Sequence, residues 1–220
     1  MALPTYLAIV NEVLERLREP TVSTVTENTL STLIGRYVND TKRSVNDAYD
    51  WDALNTYISV VTINGQWADY SIANAGLRFR IHNVINITDR TTLSMIDRTE
   101  LDTIIYLTNT PQSAAPSYFN LAGVDTNGDA TVSFAPVPDR SYVIQFSLVV
   151  PEENFAVDTD TTKMPKEPIV LGALARALVE RGEDGGQQSS EAYAMFKNSL
   201  ADFIAIESSR SPENDAWESV

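Results

Sequence analysis

The chain has 220 residues, no cysteine and one histidine, and its 30 acidic against 16 basic side chains give a formal net charge of −14. A chain of this length buries roughly 70% of the surface it exposes when unfolded, so it needs no staples. The lack of thiols excludes disulfides, thiolate metal sites and cysteine nucleophiles, and it fits synthesis in a reducing cytosol. The acidic balance, with no basic cluster to interrupt it, argues against a nucleic-acid binder, which gains affinity by setting Lys and Arg against phosphates. The opening Met1-Ala2-Leu3-Pro4-Thr5 lacks a basic region and an apolar run, so no signal peptide is expected, and no stretch reaches the length of a membrane span.

The first periodic segment runs over residues 5–18. Tyr6, Leu7, Val10, Val13, Leu14 and Leu17 fall at helical spacing, and Glu19-Pro20 stops the helix. Residues 21–26 suit a short extended connection, in which Thr24 and Glu27 have the spacing of a capping box. A second helix is predicted to about residue 50 on Leu30, Ile34, Tyr37, Thr41, Val45 and Ala48.

Beyond Trp51 the hydrophobic period changes from 3.6 to 2. Residues 57–63 and 67–72 flank Asn64-Gly65, a strong hairpin signal. Residues 79–88 alternate, with Phe79, Ile81, Asn83, Ile85 and Ile87 on one face. Residues 97–107 read as a short helix. Residues 117–122 and 130–135 flank a second hairpin at Asp125-Thr126-Asn127-Gly128-Asp129, and residues 140–150 form the longest strand.

Residues 151–165 read as a polar connection, after which the helical period returns. Pro168 suits a first turn, and Val170, Leu171, Leu174, Ala175 and Leu178 form a stripe closed by Gly182. Ser189 or Ser190 caps a last helix on Tyr193, Phe196, Leu200, Phe203 and Ile204, ending near residue 208. No helical stripe buries itself alone. The expected fold is therefore α+β: a four-helix core from residues 1–54 and 164–208, a β-rich inserted domain at 55–163, and an extended C-terminal tail at 209–220.

The residues that carry chemistry offer little. His82 would have to serve any Ser-His-Asp scheme, yet it lies out of phase with the apolar face of its strand. Asp125, Asn127 and Asp129 resemble the start of a calcium loop, but the glycine comes too early and position 12 falls on Pro136. Asp158 and Asp160 are expected to be solvated linker carboxylates. Gly182 to Gly186 lacks the lysine and hydroxyl of a phosphate loop. Trp51 and Trp67 are expected in the core or at a domain junction rather than as a sugar-stacking platform. No catalytic, cofactor or metal residue is assigned, and the chain is not expected to be an enzyme.

Val10-Asn11-Glu12-Val13-Leu14 followed by Glu19-Pro20-Thr21-Val22-Ser23-Thr24 resembles the opening of the tail tubular protein A-like adaptors of bacteriophages, an amphipathic V-N-x-[IVL]-L helix ending in an E-P-x-V-S-T turn. Trp51 at the end of the second helix, Pro116-Ser117-Tyr118-Phe119, Phe134-Ala135-Pro136-Val137-Pro138-Asp139 and Met164-Pro165 extend the resemblance along most of the chain. The resemblance implies a head-to-tail adaptor of the virion neck, made in the host cytoplasm. It further implies a homo-oligomeric ring, usually of twelve copies, between the portal protein and the tail tube, nozzle or next neck protein. Genomic DNA would pass through the lumen without specific binding, and neither a cofactor nor a membrane is involved. The tail is too polar and acidic to fold by itself. With the resemblance, its residues Arg210, Pro212, Asp215, Trp217 and Val220 become the expected portal contacts, Trp217 being the residue type most enriched at binding hot spots. The competing reading is a β-rich ligand- or glycan-binding module on a helical stalk, whose mark would be an exposed aromatic cluster on the insertion.

Overall fold

The computed structural model of the protein describes residues 3–107, 113–182 and 186–210. Among these the chain is α+β, with five α-helices and two four-stranded sheets. Its contacts divide it into two compact units: the described residues of Met1–Ala53 with Glu152–Val220, and Leu54–Pro151.

In the first unit, helix α1 (Tyr6–Arg16) starts at Thr5, whose Oγ1 accepts the Ala8 N–H, and buries Tyr6, Ile9, Val10, Val13 and Leu14. It closes before Pro20 through two bonds, Glu19 N–H to the Leu14 carbonyl at 2.9 Å and Arg18 N–H to the Glu15 carbonyl at 3.0 Å. Arg18 is left-handed at φ 59°, at the place in this helix ending where glycine is usual.

Helix α2 (Thr29–Ala48) begins one turn later than the Thr24–Glu27 spacing predicts. Its capping box is Asn28 with Ser31: Asn28 Oδ1 accepts the Ser31 N–H at 2.8 Å and Ser31 Oγ accepts the Asn28 N–H at 3.2 Å. Glu27 instead turns back to the Ser23 N–H at 2.6 Å and closes the turn ahead of the helix. The buried face holds Ile34, Val38, Thr41 and Val45 together with Gly35, Lys42 and Asn46, so Leu30 and Tyr37 are half-buried and Ala48 is exposed. Buried Trp51 finishes the helix by donating Nε1–H to the Val45 carbonyl at 2.8 Å.

Helix α4 (Lys166–Arg181) packs against α1, α2 and helix α5 (Gln187–Ser208). It buries Ile169, Val170, Leu171, Gly172, Ala173 and Ala175, so its apolar residues extend beyond one stripe, as a helix enclosed on several sides requires. Gly182 ends it at φ 62°. Helix α5 begins at Gly186 rather than at a serine: Ser189 and Ser190 lie inside its first turn and donate their hydroxyls to the Gly186 carbonyl at 2.9 and 2.8 Å. Ala192, Phe196 and Leu200 form its buried line, whereas Tyr193 faces outward.

The second unit has one sheet in the order β1-β8-β3-β4 and another in the order β2-β7-β6-β5. The first joins β1 (Asn55–Val61), β3 (Arg80–Asn86), β4 (Thr91–Thr92) and β8 (Val143–Val149). The second joins β2 (Tyr70–Ser71), β5 (Ser94–Met95), β6 (Tyr118–Val124) and β7 (Ala130–Ala135). The core takes side chains from both sheets, among them Val60, Val84, Phe119, Phe134, Phe146 and Leu148.

Asn64-Gly65 does form a turn, with Gly65 at φ 78°, but no hairpin. Strand β1 pairs with β8 along its whole length, from Asn55↔Val149 to Val61↔Val143, and the returning segment shrinks to β2, which pairs with β7 in the other sheet. Tyr70 explains the crossing: its buried ring joins the shared core, while its hydroxyl accepts the Ile63 N–H at 2.9 Å and donates to the Gln66 carbonyl at 2.8 Å. The hairpin at Asp125–Asp129 does join β6 to β7.

Strand β3 carries a bulge between Ile81 and Asn83 that reverses its alternation. Ile81 packs against the core before the bulge and Val84 after it, so Asn83 and Ile87 are exposed, contrary to the single face expected. Helix α3 (Arg98–Asp102), capped by Asp97, continues into a π-helical turn at Thr103–Leu107.

Candidate interaction surfaces

The stretch from Val10 to Val25 is the second half of α1 and a loop tethered back to it. Asn11 Oδ1 accepts the Val22 N–H at 2.9 Å, and Asn11 Nδ2 donates to the Val22 carbonyl at 3.0 Å. The buried side chains of Val22 and Val25 anchor it further. Arg181 of α4 holds its start through the Leu17 carbonyl, at 3.4 Å, and an ion pair to Glu19. Asn11 is thus needed for its amide, which offers both a donor and an acceptor.

Residues 151–165 are no solvated linker. The carbonyls of Asp160 and Asp158 accept the N–H groups of Tyr6 and Leu7 at 2.8 and 3.2 Å, satisfying donors that every helix start leaves open. The Asp158 carboxylate accepts the Val25 N–H at 3.1 Å. Asp160 Oδ2 accepts the N–H groups of Val157 and Ala156, and these bonds hold its carboxyl below its ordinary value. Lys42, almost fully buried, reaches the segment from α2. Its Nζ donates to the Glu153 carbonyl at 2.6 Å, pairs with Glu152 Oε2 at 3.1 Å and sits 4.0 Å from the centre of the Phe155 ring. The Asp158 and Asp160 carboxylates thus fasten backbone N–H groups.

In the second unit, Asp125 Oδ1 accepts the N–H groups of Asn127 and Asp129 while Oδ2 accepts the Ser71 hydroxyl at 2.6 Å. Bonding to Ser71 and then to the Asp129 N–H holds its pKa below the ordinary carboxylate value. Asp129 in turn accepts from the N–H groups of Asn74 and Gly76. The hairpin carboxylates therefore splice two loops together. His82 lies exposed at the β3 bulge. Trp51 is buried in the first unit and presents no platform. Trp67 is half-buried beside Ile96, Leu101 and Ile105, meets Tyr106 edge-on at 5.8 Å and borders a polar cleft with Arg98 and Asp69. Among the described residues, no three His, Cys, Asp or Glu side chains gather to hold a metal, and no helix is long and apolar enough to cross a membrane.

Of the expected portal contacts, Arg210 is described. It donates to Glu207 Oε2 at 2.8 Å, and Glu207, itself buried, accepts the Asp52 N–H at 3.0 Å. Arg210 is thereby fixed to the helical unit. Pro212, Asp215, Trp217 and Val220 lie outside the described residues. Exposed apolar surface is present in both units. Val179 and Tyr193 flank a half-open groove of about 480 Å³ over Gly172 and Phe196, and Tyr57, Val61 and Ile63 stand out from strand β1 and its end. Sequence reasoning missed these surfaces because apolar residues in periodic segments read as core.

The described residues thus present carboxylates tied to backbone amides and exposed apolar side chains in both units. Residues 4–216 match the SU10 adaptor protein family, and the chain belongs to it. It is a bacteriophage adaptor, a structural component of the virion, in agreement with the resemblance carried by its motifs. No curated protein matches the chain.

Proposed function

We propose that the protein is a head-to-tail adaptor that forms a ring, of twelve copies as the resemblance implies, between the portal and the tail tube, nozzle or next neck protein. In this reading the helices α1, α2, α4 and α5 are a four-helix core, the β-rich unit is an inserted domain, and the genome passes through the lumen without being retained. The observation that carries the proposal is the family match over residues 4–216, supported by the tethered Asn11–Val22 loop on which the motif resemblance rests.

The tail beyond α5 is the proposed portal contact, with Arg210 at its root and Pro212, Asp215, Trp217 and Val220 along it. Truncation after Ser208 tests this. Attachment to portal-bearing heads is lost while the thermal midpoint of the subunit stays the same; normal docking of the truncated subunit refutes it. Electron microscopy of the purified assembly tests the ring directly.

A further inference from the structure

Strand β1, Asn-Thr-Tyr-Ile-Ser-Val-Val, is an edge of its sheet: among the described residues it pairs on one side, with β8. Proteins that live as monomers guard such edges with charge, proline or a bulge. None of its seven residues is charged or a proline, and its register with β8 is unbroken.

The outward face of the sheet has the same character. Val61, Val143 and Ile87 make one row across β1, β8 and the end of β3, and Ser59, Gln145 and Ile85 make the next. Tyr57, 70% exposed, stands beyond them, and Val61 is 55% exposed. In a chain of net charge −14, this is a patch without a charged side chain, bounded by Arg80 and by the Arg140–Asp89 ion pair.

We infer that the β1 edge and this sheet face form one side of the contact between neighbouring copies of the chain, set against a different face of the next copy, as a ring requires. The inference rests on the reading of the protein as a homo-oligomer. The argument for a second copy is electrostatic. Like-charged surfaces set against each other repel, so identical acidic chains meet best where neither carries charge. A foreign partner would be steered by opposite charge, and this face offers none. Covering it also hides an uncharged β-branched run that would otherwise seed aggregation.

The test uses the full-length protein in sedimentation velocity and native mass spectrometry over a range of concentrations. Val61→Asp places an acid in the apolar row, Ser59→Glu guards the edge, and Val179→Asp alters an exposed apolar site in the helical unit as a control. The expected result is at least tenfold weaker self-association for the first two, unchanged association for the control, and the same thermal midpoint throughout. Wild-type association by both sheet variants overturns the surface and leaves the ring reading standing, as does dissociation by the control alone. A wild-type chain that never associates, alone or on portal-bearing heads, overturns the ring reading itself.

Discussion

Asn11 shows how one side chain can hold a motif together. Its amide meets both polar groups of the Val22 backbone at 2.9 and 3.0 Å, and no aliphatic residue can replace either bond. Asn11→Ala leaves a partly buried N–H and C=O without their partner, at about 1–3 kcal/mol for each group that water cannot reach. The expected loss is about 2 kcal/mol, read as a lower urea midpoint. Asn11→Asp, which keeps the acceptor but turns a second oxygen toward the Val22 carbonyl, should also fall below wild type. Asp160 contributes a dependence on pH. Backbone bonds from Val157 and Ala156 depress its folded-state value below the ordinary 3.8, so between the two values the unfolded chain binds more protons. Its stabilisation is complete above the unfolded value and is lost as pH falls through the folded one. Urea midpoints taken from pH 5 to pH 2 should therefore decline less steeply in Asp160→Asn than in wild type; parallel curves would show that the carboxylate does no such work.

At the scale of elements, close approach of helices depends on a missing side chain. A Cβ built on Gly172 of α4 would lie 2.4 Å from Thr41 Cγ2 of α2 and 3.1 Å from the Phe196 ring of α5. Alanine favours helix by about 1 kcal/mol over glycine, but overpacking a tight contact costs about 1–3 kcal/mol. Gly172→Ala should thus destabilise, and Thr41→Ser, which removes the obstructing methyl, should restore part of the loss in a double-mutant cycle; additive effects would refute the contact. Gly172 illustrates what the sequence conceals. Helix existence was legible in the apolar spacing of α1, α2, α4 and α5, because a buried stripe leaves its period in the residues themselves. Pairing was not. Asn64-Gly65 specifies a turn but not which strand follows it home, and the better partner for β1 was β8, more than eighty residues away in the chain. The β3 bulge at His82 was equally hidden, since one extra residue reverses every side chain after it without altering composition. The carboxylates of residues 151–165 failed for a related reason: a polar segment reads as solvated until the helix start and the lysine that it fastens are brought beside it.

For the whole molecule, the balance of charge sets its long-range response to a polyanion. Acids outnumber bases 30 to 16, and several of the bases are already engaged by acids of the same chain. Arg16 is paired with Glu12 and Glu167, Lys42 with Glu152, Lys166 with Glu12, Arg140 with Asp89 and Arg181 with Glu19. Non-specific DNA binding draws its free energy from counterions released when basic side chains neutralise phosphates. Each internal pair removes a side chain from that account, and the remaining field repels a polyanion at long range. The charge alone was legible in the sequence; the pairing that engages these bases required the fold. The protein is therefore expected not to retard duplex DNA at micromolar concentration and about 150 mM salt, where screening acts over about 8 Å. A lower salt concentration is the sharper condition. Any adhesion through a local basic stripe would strengthen steeply as salt is withdrawn, whereas repulsion by the whole molecule keeps the duplex free. Retardation at about 150 mM would contradict the expectation, and its loss in a variant with Arg78, Arg80 and Arg90 changed to glutamine would locate the stripe on the β-rich unit. The proposed adaptor role, in which the genome passes without being retained, requires that no retardation be seen.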